Sequence, residues 1–146
     1  MRKLPILFMS LAGLSLPAPA IEYLTVESAT ILYDTPNAKT GTKLFVIRRD
    51  TPVEVVVNQG GWAKVRDAEG SLAWIERKEL GTRRTLIVKA DRATVLQNPE
   101  ESAPVSFEAE RNVSLDYLET LPGGWIKVRH RDGQEGFVRA GQIWGF

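Results

Sequence analysis

The chain has 146 residues, 43% of them hydrophobic and 25% charged, with 19 Lys and Arg against 18 Asp and Glu, 12 Gly, 8 Pro and no Cys. That composition is globular and excludes a disordered, collagenous or disulfide-stapled chain. A formal charge of +1 gives no electrostatic footprint for a polyanion and argues against nucleic acid as a partner, because proteins that track phosphates carry a clustered basic excess.

The N-terminus reads as a targeting segment. Met1-Arg2-Lys3 is basic, Leu4 to Leu16 is apolar, and Pro17-Ala18-Pro19-Ala20 ends in an Ala-x-Ala site, so a cleavable signal peptide is predicted over 1–20. The apolar run is about 13 residues, short of the ~20 that a membrane span requires. With no Cys to take a lipid, the expected product is residues 21–146, periplasmic or secreted and without a membrane span. Removing Arg2 and Lys3 leaves 17 basic against 18 acidic residues, so the apparent basicity belongs to the leader. The missing Cys also removes thiol nucleophiles and thiolate metal sites, and burial with backbone pairing must supply all stability.

The remainder is written twice. Gly60-Gly61-Trp62-Ala63-Lys64-Val65-Arg66-Asp67-Ala68-Glu69-Gly70 answers Gly123-Gly124-Trp125-Ile126-Lys127-Val128-Arg129-His130-Arg131-Asp132-Gly133 at an offset of 63, with seven identities in eleven positions. Ala73-Trp74-Ile75 answers Gly136-Phe137-Val138, and Ala29 to Pro36 answers Ala93 to Pro99 with one residue lost. The domains expected are 21–81 and 85–146, joined by a solvated linker at 82–84.

Each copy predicts short strands. Pro52 to Val57 is β-branched, Asn58 to Gly61 turns, Trp62 to Arg66 alternates with period two, and Asp67 to Gly70 turns again into Ser71 to Ile75. In the second copy Val113 to Leu118 alternates and Asp132-Gly133 is a strong hairpin signal. Glu76 to Leu80 and Arg139 to Ile143 are helix-like for one turn at most. The fold class is all-β. A unit of this size cannot cover two large sheet faces, so two small bent barrels are expected, packed against each other along an apolar seam. The apolar tail Gln142 to Phe146 is expected to serve as a closing strand or enter that seam.

Gly61-Trp62-Ala63-Lys64-Val65-Arg66-Asp67, Glu69-Gly70 and Ala73-Trp74-Ile75, with Trp125-Ile126-Lys127-Val128, Asp132-Gly133 and Gly136-Phe137-Val138 in the second copy, resemble the bacterial SH3-like (SH3b) domain. The resemblance implies tandem SH3-like barrels and a non-catalytic envelope module that recognises cell-wall peptides or mediates protein contacts. The early Asn-Val-Arg-x-Gly-Pro stretch of that family is replaced by Leu32-Tyr33-Asp34-Thr35-Pro36-Asn37 and by Leu96-Gln97-Asn98-Pro99-Glu100.

Candidate chemistry is sparse. His130 is the only histidine, and its His-Arg-Asp context lacks the rest of a kinase catalytic loop, so a strand-end residue beside a hairpin is expected. One His and no Cys argue against zinc, and no cofactor is expected. Glu100, Glu101, Glu108, Glu110 and Glu119 read as a solvated face rather than a catalytic pair, which needs a buried carboxyl of raised pKa. Gly60-Gly61 and Gly123-Gly124 suit tight turns rather than phosphate cradling. Trp62 and Trp125 begin matching strands and read first as core or barrel-mouth residues. Tyr33 and Trp74 are the expected walls of a shallow peptide groove, with Trp62 kept beside them as a ligand-binding candidate and Asp34 or Glu69 set to meet a ligand amine. The second-copy equivalents are taken as Gln97, Trp125, Asp132 and Phe137. Arg48-Arg49 and Arg83-Arg84 are short basic pairs read as solvated. The sequence thus predicts a binder of cell-wall (peptidoglycan) peptide or of an envelope protein, the alternative being an adaptor or assembly factor with no wall affinity.

Overall fold

The computed structural model describes residues 2–7, 9–10, 12–15 and 20–146. The described residues of the leader form neither strand nor helix, and the predicted cleavage motif lies partly outside the described residues. Among the described residues no helix is long and apolar enough to cross a membrane.

The first copy supplies β1 (Glu22–Val26), β2 (Thr30–Tyr33), β3 (Lys43–Ile47), β4 (Pro52–Gln59), β5 (Trp62–Arg66), β6 (Leu72–Glu76) and β7 (Leu80–Gly81). They form one seven-stranded sheet in the order β3-β2-β6-β5-β4-β1-β7. The second copy supplies β8 (Thr85–Val88), β9 (Arg92–Leu96), β10 (Val105–Glu110), β11 (Ser114–Leu121), β12 (Trp125–Arg129), β13 (Glu135–Arg139) and β14 (Ile143–Trp144). Their order, β10-β9-β13-β12-β11-β8-β14, is the same strand for strand. The repeat of letters is therefore a repeat of topology, and the all-β expectation holds. Single 3-10 turns at Arg77–Glu79 and Ala140–Gln142 stand where the one-turn helical segments were predicted.

Local chemistry explains the elements. In β5, Ala63 and Val65 are buried while Trp62, Lys64 and Arg66 are half-exposed, the period-two signature of a strand with one covered face. The β5–β6 and β12–β13 hairpins reverse at Gly70 (φ 90°) and Gly133 (φ 94°), backbone angles that a side chain would strain.

Each sheet encloses its own core. Val26, Leu32, Ile47, Val53, Ala63, Val65, Ala73, Ile75 and Leu80 form one cluster drawn from all seven strands of the first sheet. A flat sheet cannot bring all its strands to one cluster, so the sheet is curled into a small barrel. Leu86, Val88, Val95, Ala109, Leu115, Ile126, Val128, Val138 and Ile143 do the same in the second. The register slips between Val55 and Val57 and between Tyr117 and Glu119, at matching places in β4 and β11, and such bulges bend a strand.

The barrels meet across β8, buried at every position, and the end of β1 from Leu24 to Val26, which is likewise buried. Leu86 and Val88 point into their own core, which turns Thr85 and Ile87 toward the neighbour. There the hydroxyls of Thr25 (2% exposed) and Thr85 (1%) are hydrogen-bonded at 3.0 Å. Tyr23 meets Trp144 edge-on, with ring centroids 5.3 Å apart. The Arg84 guanidinium lies 5.6 Å from the Tyr23 ring and 5.1 Å from the Tyr117 ring, and its Nη2 donates to the Gly145 carbonyl at 2.9 Å. Arg83 pairs with Asp116 at 2.7 Å and with Asp50 of the other barrel. The basic pair of the connection was expected to be solvated: Arg83 is exposed as expected while it reaches acids of both barrels, and Arg84 is instead half-buried among the seam's rings, so that together they clamp the two barrels. The apolar tail does both things expected of it, with Ile143 in the second core and Trp144 and Gly145 in the seam.

Candidate functional site

Strand register builds an aromatic row on the outside of the first barrel. Tyr33 of β2 stands opposite Trp74 of β6, Trp74 opposite Lys64 of β5, and Lys64 opposite Val57 of β4. Trp62, two residues before Lys64, shares this face and meets Tyr33 edge-on at 5.6 Å with an interplanar angle of 83°. Such a pair contributes roughly 0.5–1.5 kcal/mol beyond its area, which fixes both rings. Tyr33 is thereby 8% exposed, while Trp62 and Trp74 remain half-buried and open to a ligand. The structure brings Tyr33, Trp62 and Trp74 together, and adds Lys64, which the sequence reading missed. The signal was present in the alternation, since Lys64 points the same way as Trp62.

The two candidate acids are placed differently. Asp34 adjoins Tyr33, but its Oδ1 accepts the Thr42 N–H at 2.7 Å and closes the β2–β3 loop. Glu69 lies in the β5–β6 turn, beyond the Arg66–Leu72 pair and at the opposite end of the hairpin from the Trp62–Glu76 pair. Glu69 is therefore not joined to the Tyr33–Trp62 contact. Its backbone N–H, with that of Ser71, is held by Asp67 Oδ1 at 3.1 and 2.8 Å.

The second barrel does not repeat the row. Phe137 pairs with Leu96, so Leu96 and not Gln97 is the counterpart of Tyr33. Matching Leu32 to Leu96 by letter is misleading because Val95 fills the inward position in β9, which leaves Leu96 outward. Gln97 lies past the strand and donates to the Val105 carbonyl at 3.5 Å. Lys127 sits 5.9 Å from the Phe137 ring centre. Trp125 is 5% exposed, and the Arg139 guanidinium covers its ring at 4.0 Å while pairing with Glu101. The Trp125 ring face that would answer Trp62 is occupied by this cation.

Asp132 serves the hairpin. Its Oδ1 accepts the Gln134 N–H at 2.9 Å and lies 3.1 Å from His130 Nδ1. The Gln134 bond, with help from His130, holds the Asp132 carboxyl below its ordinary value, and the Arg129 bond does the same for Glu135. A carboxyl held low favours the fold while it is charged: the contribution is present above the unfolded pKa and is lost as pH falls through the folded one. Asp132→Asn keeps the turn acceptor and removes the titration. Its melting temperature should therefore fall less steeply than that of the parent below about pH 4, measured by circular dichroism.

Glu100, Glu101, Glu108, Glu110 and Glu119 are all exposed, as a solvated face requires, and two of them are paired. Glu108 meets Arg92 at 3.4 Å and Glu101 meets Arg139. His130 follows β12 directly and tilts against Phe107 at 5.8 Å, as expected of a strand-end residue. Among the described residues the carboxyl shifts that stand out, at Asp132 and Glu135, are downward, opposite to what a general acid needs.

The chain is similar to two solved structures from Trichomonas vaginalis, NlpC2 and NlpC1. Each is 15% identical with a TM-score of 0.40, and the match covers 88% of this chain and 49% and 47% of those chains respectively. A protein of the NlpC/P60 family from Bacillus cereus matches at 17% identity and a TM-score of 0.38, over 84% of this chain and 56% of that one. The chain thus spans about half the length of the solved structures it matches. No protein of curated function matches it. The family model described as bacterial SH3 domain matches twice, over residues 27–81 and 89–145, each match falling on one of the two seven-stranded sheets. With two tandem copies that take up most of its length, the protein belongs to the bacterial SH3 domain family.

Proposed function

We propose that this protein is an exported, non-catalytic module that recognises cell-wall peptide through the aromatic face of its first barrel. The observation that carries this reading is the grouping of Tyr33, Trp62 and Trp74 beside Lys64 on one outer face, against its replacement by Leu96 and an Arg139-covered Trp125 in the second copy. Bacterial SH3 domains are binding domains typical of envelope and extracellular proteins, which agrees with a leader that reads as an export signal. A wall peptide offers short apolar side chains for the rings, carboxylates for Lys64 and amines for Asp34. The strip is shallow and already ordered by the Tyr33–Trp62 contact, which lowers the entropic cost of binding an extended chain.

Co-sedimentation with purified sacculi tests the reading. The parent should pellet with sacculi at moderate salt, and Trp74→Ala or Tyr33→Ala should weaken the interaction by about 10-fold, as loss of a buried aromatic anchor does. Phe137→Ala, on the other barrel, should bind as the parent does. Sacculi that come away clean, with one discrete envelope protein retained instead, would replace this reading by that of an adaptor.

A further inference from the structure

We infer that the cleft between the two barrels is a binding site for a linear polymer carrying phosphate groups. The cleft has a volume of about 720 Å³ and is lined by Arg48, Arg49, Arg83, Arg111 and Arg131. These arginines come from four separate places: the β3–β4 turn, the inter-barrel connection, the β10–β11 turn and the β12–β13 hairpin. Asp50, Glu110 and Asp116 are the only carboxylates lining it, so the walls carry an excess of positive charge in a chain whose residues 21–146 are slightly acidic.

The arginines differ in how far they are satisfied. Arg83 is used by Asp50 and Asp116, and Arg111 by Asp91 at 2.7 and 3.2 Å. Arg48 reaches across the seam only to the Asn112 carbonyl at 3.2 Å, and Arg49 stands 3.8 Å from Asp50 with a largely exposed side chain. Arg131 makes no ion pair among the described residues. A guanidinium has five N–H donors in a planar fork, so Arg48, Arg49 and Arg131 hold spare donors aimed at one space from both barrels. A carboxylate presents two oxygens in one plane and suits a single fork. A tetrahedral phosphate presents oxygens in several directions and can be shared by forks on opposite walls, which is the arrangement here. The cleft is larger than one such group needs, and its arginines come from turns of both barrels, which favours linked phosphates over a single ion. This surface is distinct from the Tyr33–Trp74 row, and the inference stands independently of the function proposed above.

Titration calorimetry of the purified protein with linear inorganic polyphosphate is the test, with orthophosphate and poly-L-glutamate run alongside. Polyphosphate should bind, more weakly as salt is raised. Arg48→Ala and Arg131→Ala should each weaken it about 10-fold, the loss of one charge-assisted contact, and Arg131→Ala, which breaks no ion pair, should do so without lowering the melting temperature. Lys39→Ala, in the β2–β3 loop, and Trp74→Ala should bind as the parent does. Binding of poly-L-glutamate as tight as that of polyphosphate would overturn the phosphate assignment, and orthophosphate binding equally would overturn the polymer. No binding at low salt, or binding indifferent to both arginine substitutions, would overturn the site.

Discussion

Leu86→Ala is expected to lower the unfolding free energy by about 2–5 kcal/mol, read as a shift in the urea midpoint at unchanged slope. Leu86 is fully buried and stands opposite Leu115, itself 1% exposed, in the β8–β11 register. Truncation removes apolar contact area and leaves a cavity. The surroundings cannot collapse into it, because β8 is held on one side by its own barrel and on the other by the Thr25 and Arg84 contacts of the seam. An exposed site would cost much less, so a shift under about 1 kcal/mol would contradict the double covering of this strand. The expected loss is a large fraction of the stability of a domain with no disulfide to fall back on.

The Thr25–Thr85 hydrogen bond should show strong coupling in a double-mutant cycle. Valine nearly matches threonine in volume, so Thr25→Val or Thr85→Val alone strands the other hydroxyl in a buried place, at a cost of about 1–3 kcal/mol. The double variant removes both polar groups together and should cost clearly less than the sum, with an interaction energy of about 0.5–3 kcal/mol. The two residues are 60 positions apart and belong to different barrels, so the coupling reads the seam directly. Additive effects measured by denaturant unfolding would mean that the barrels do not hold this contact in solution.

The candidate site was legible to different depths. Tyr33 and Trp74 could be chosen because an early loop and a late strand of such a barrel share a side, and the register confirms that they are neighbours. Trp62 was read first as a core or barrel-mouth residue and also kept as a ligand-binding candidate; it is half-buried and meets Tyr33 edge-on. Glu69 and Asp132 were read in turns and kept as candidate charges; they lie in the β5–β6 and β12–β13 turns as read, and there Asp132 holds a backbone N–H. A short acidic side chain in a hairpin has a backbone donor within two residues, and that local bond competes with any ligand role. Gln97 was paired with Tyr33 by letter, and the need to fill the second core with Val95 moved the correspondence to Leu96.

By itself the sequence determined that the chain is all-β, that it contains one unit twice, where its hairpins turn and which residues alternate inward. These are properties of neighbours: period-two burial, glycine at positive φ and β-branched runs act over a few residues and leave their trace in order along the chain. Only the tertiary structure decided the seam, the clamp made by Arg83 and Arg84, and the convergence of Arg48, Arg49 and Arg131 on one cleft. Net charge averages over position and reported a nearly neutral protein. Coulomb interaction depends on separation in space, and the packing of two barrels gathers cations from turns that lie far apart in the chain.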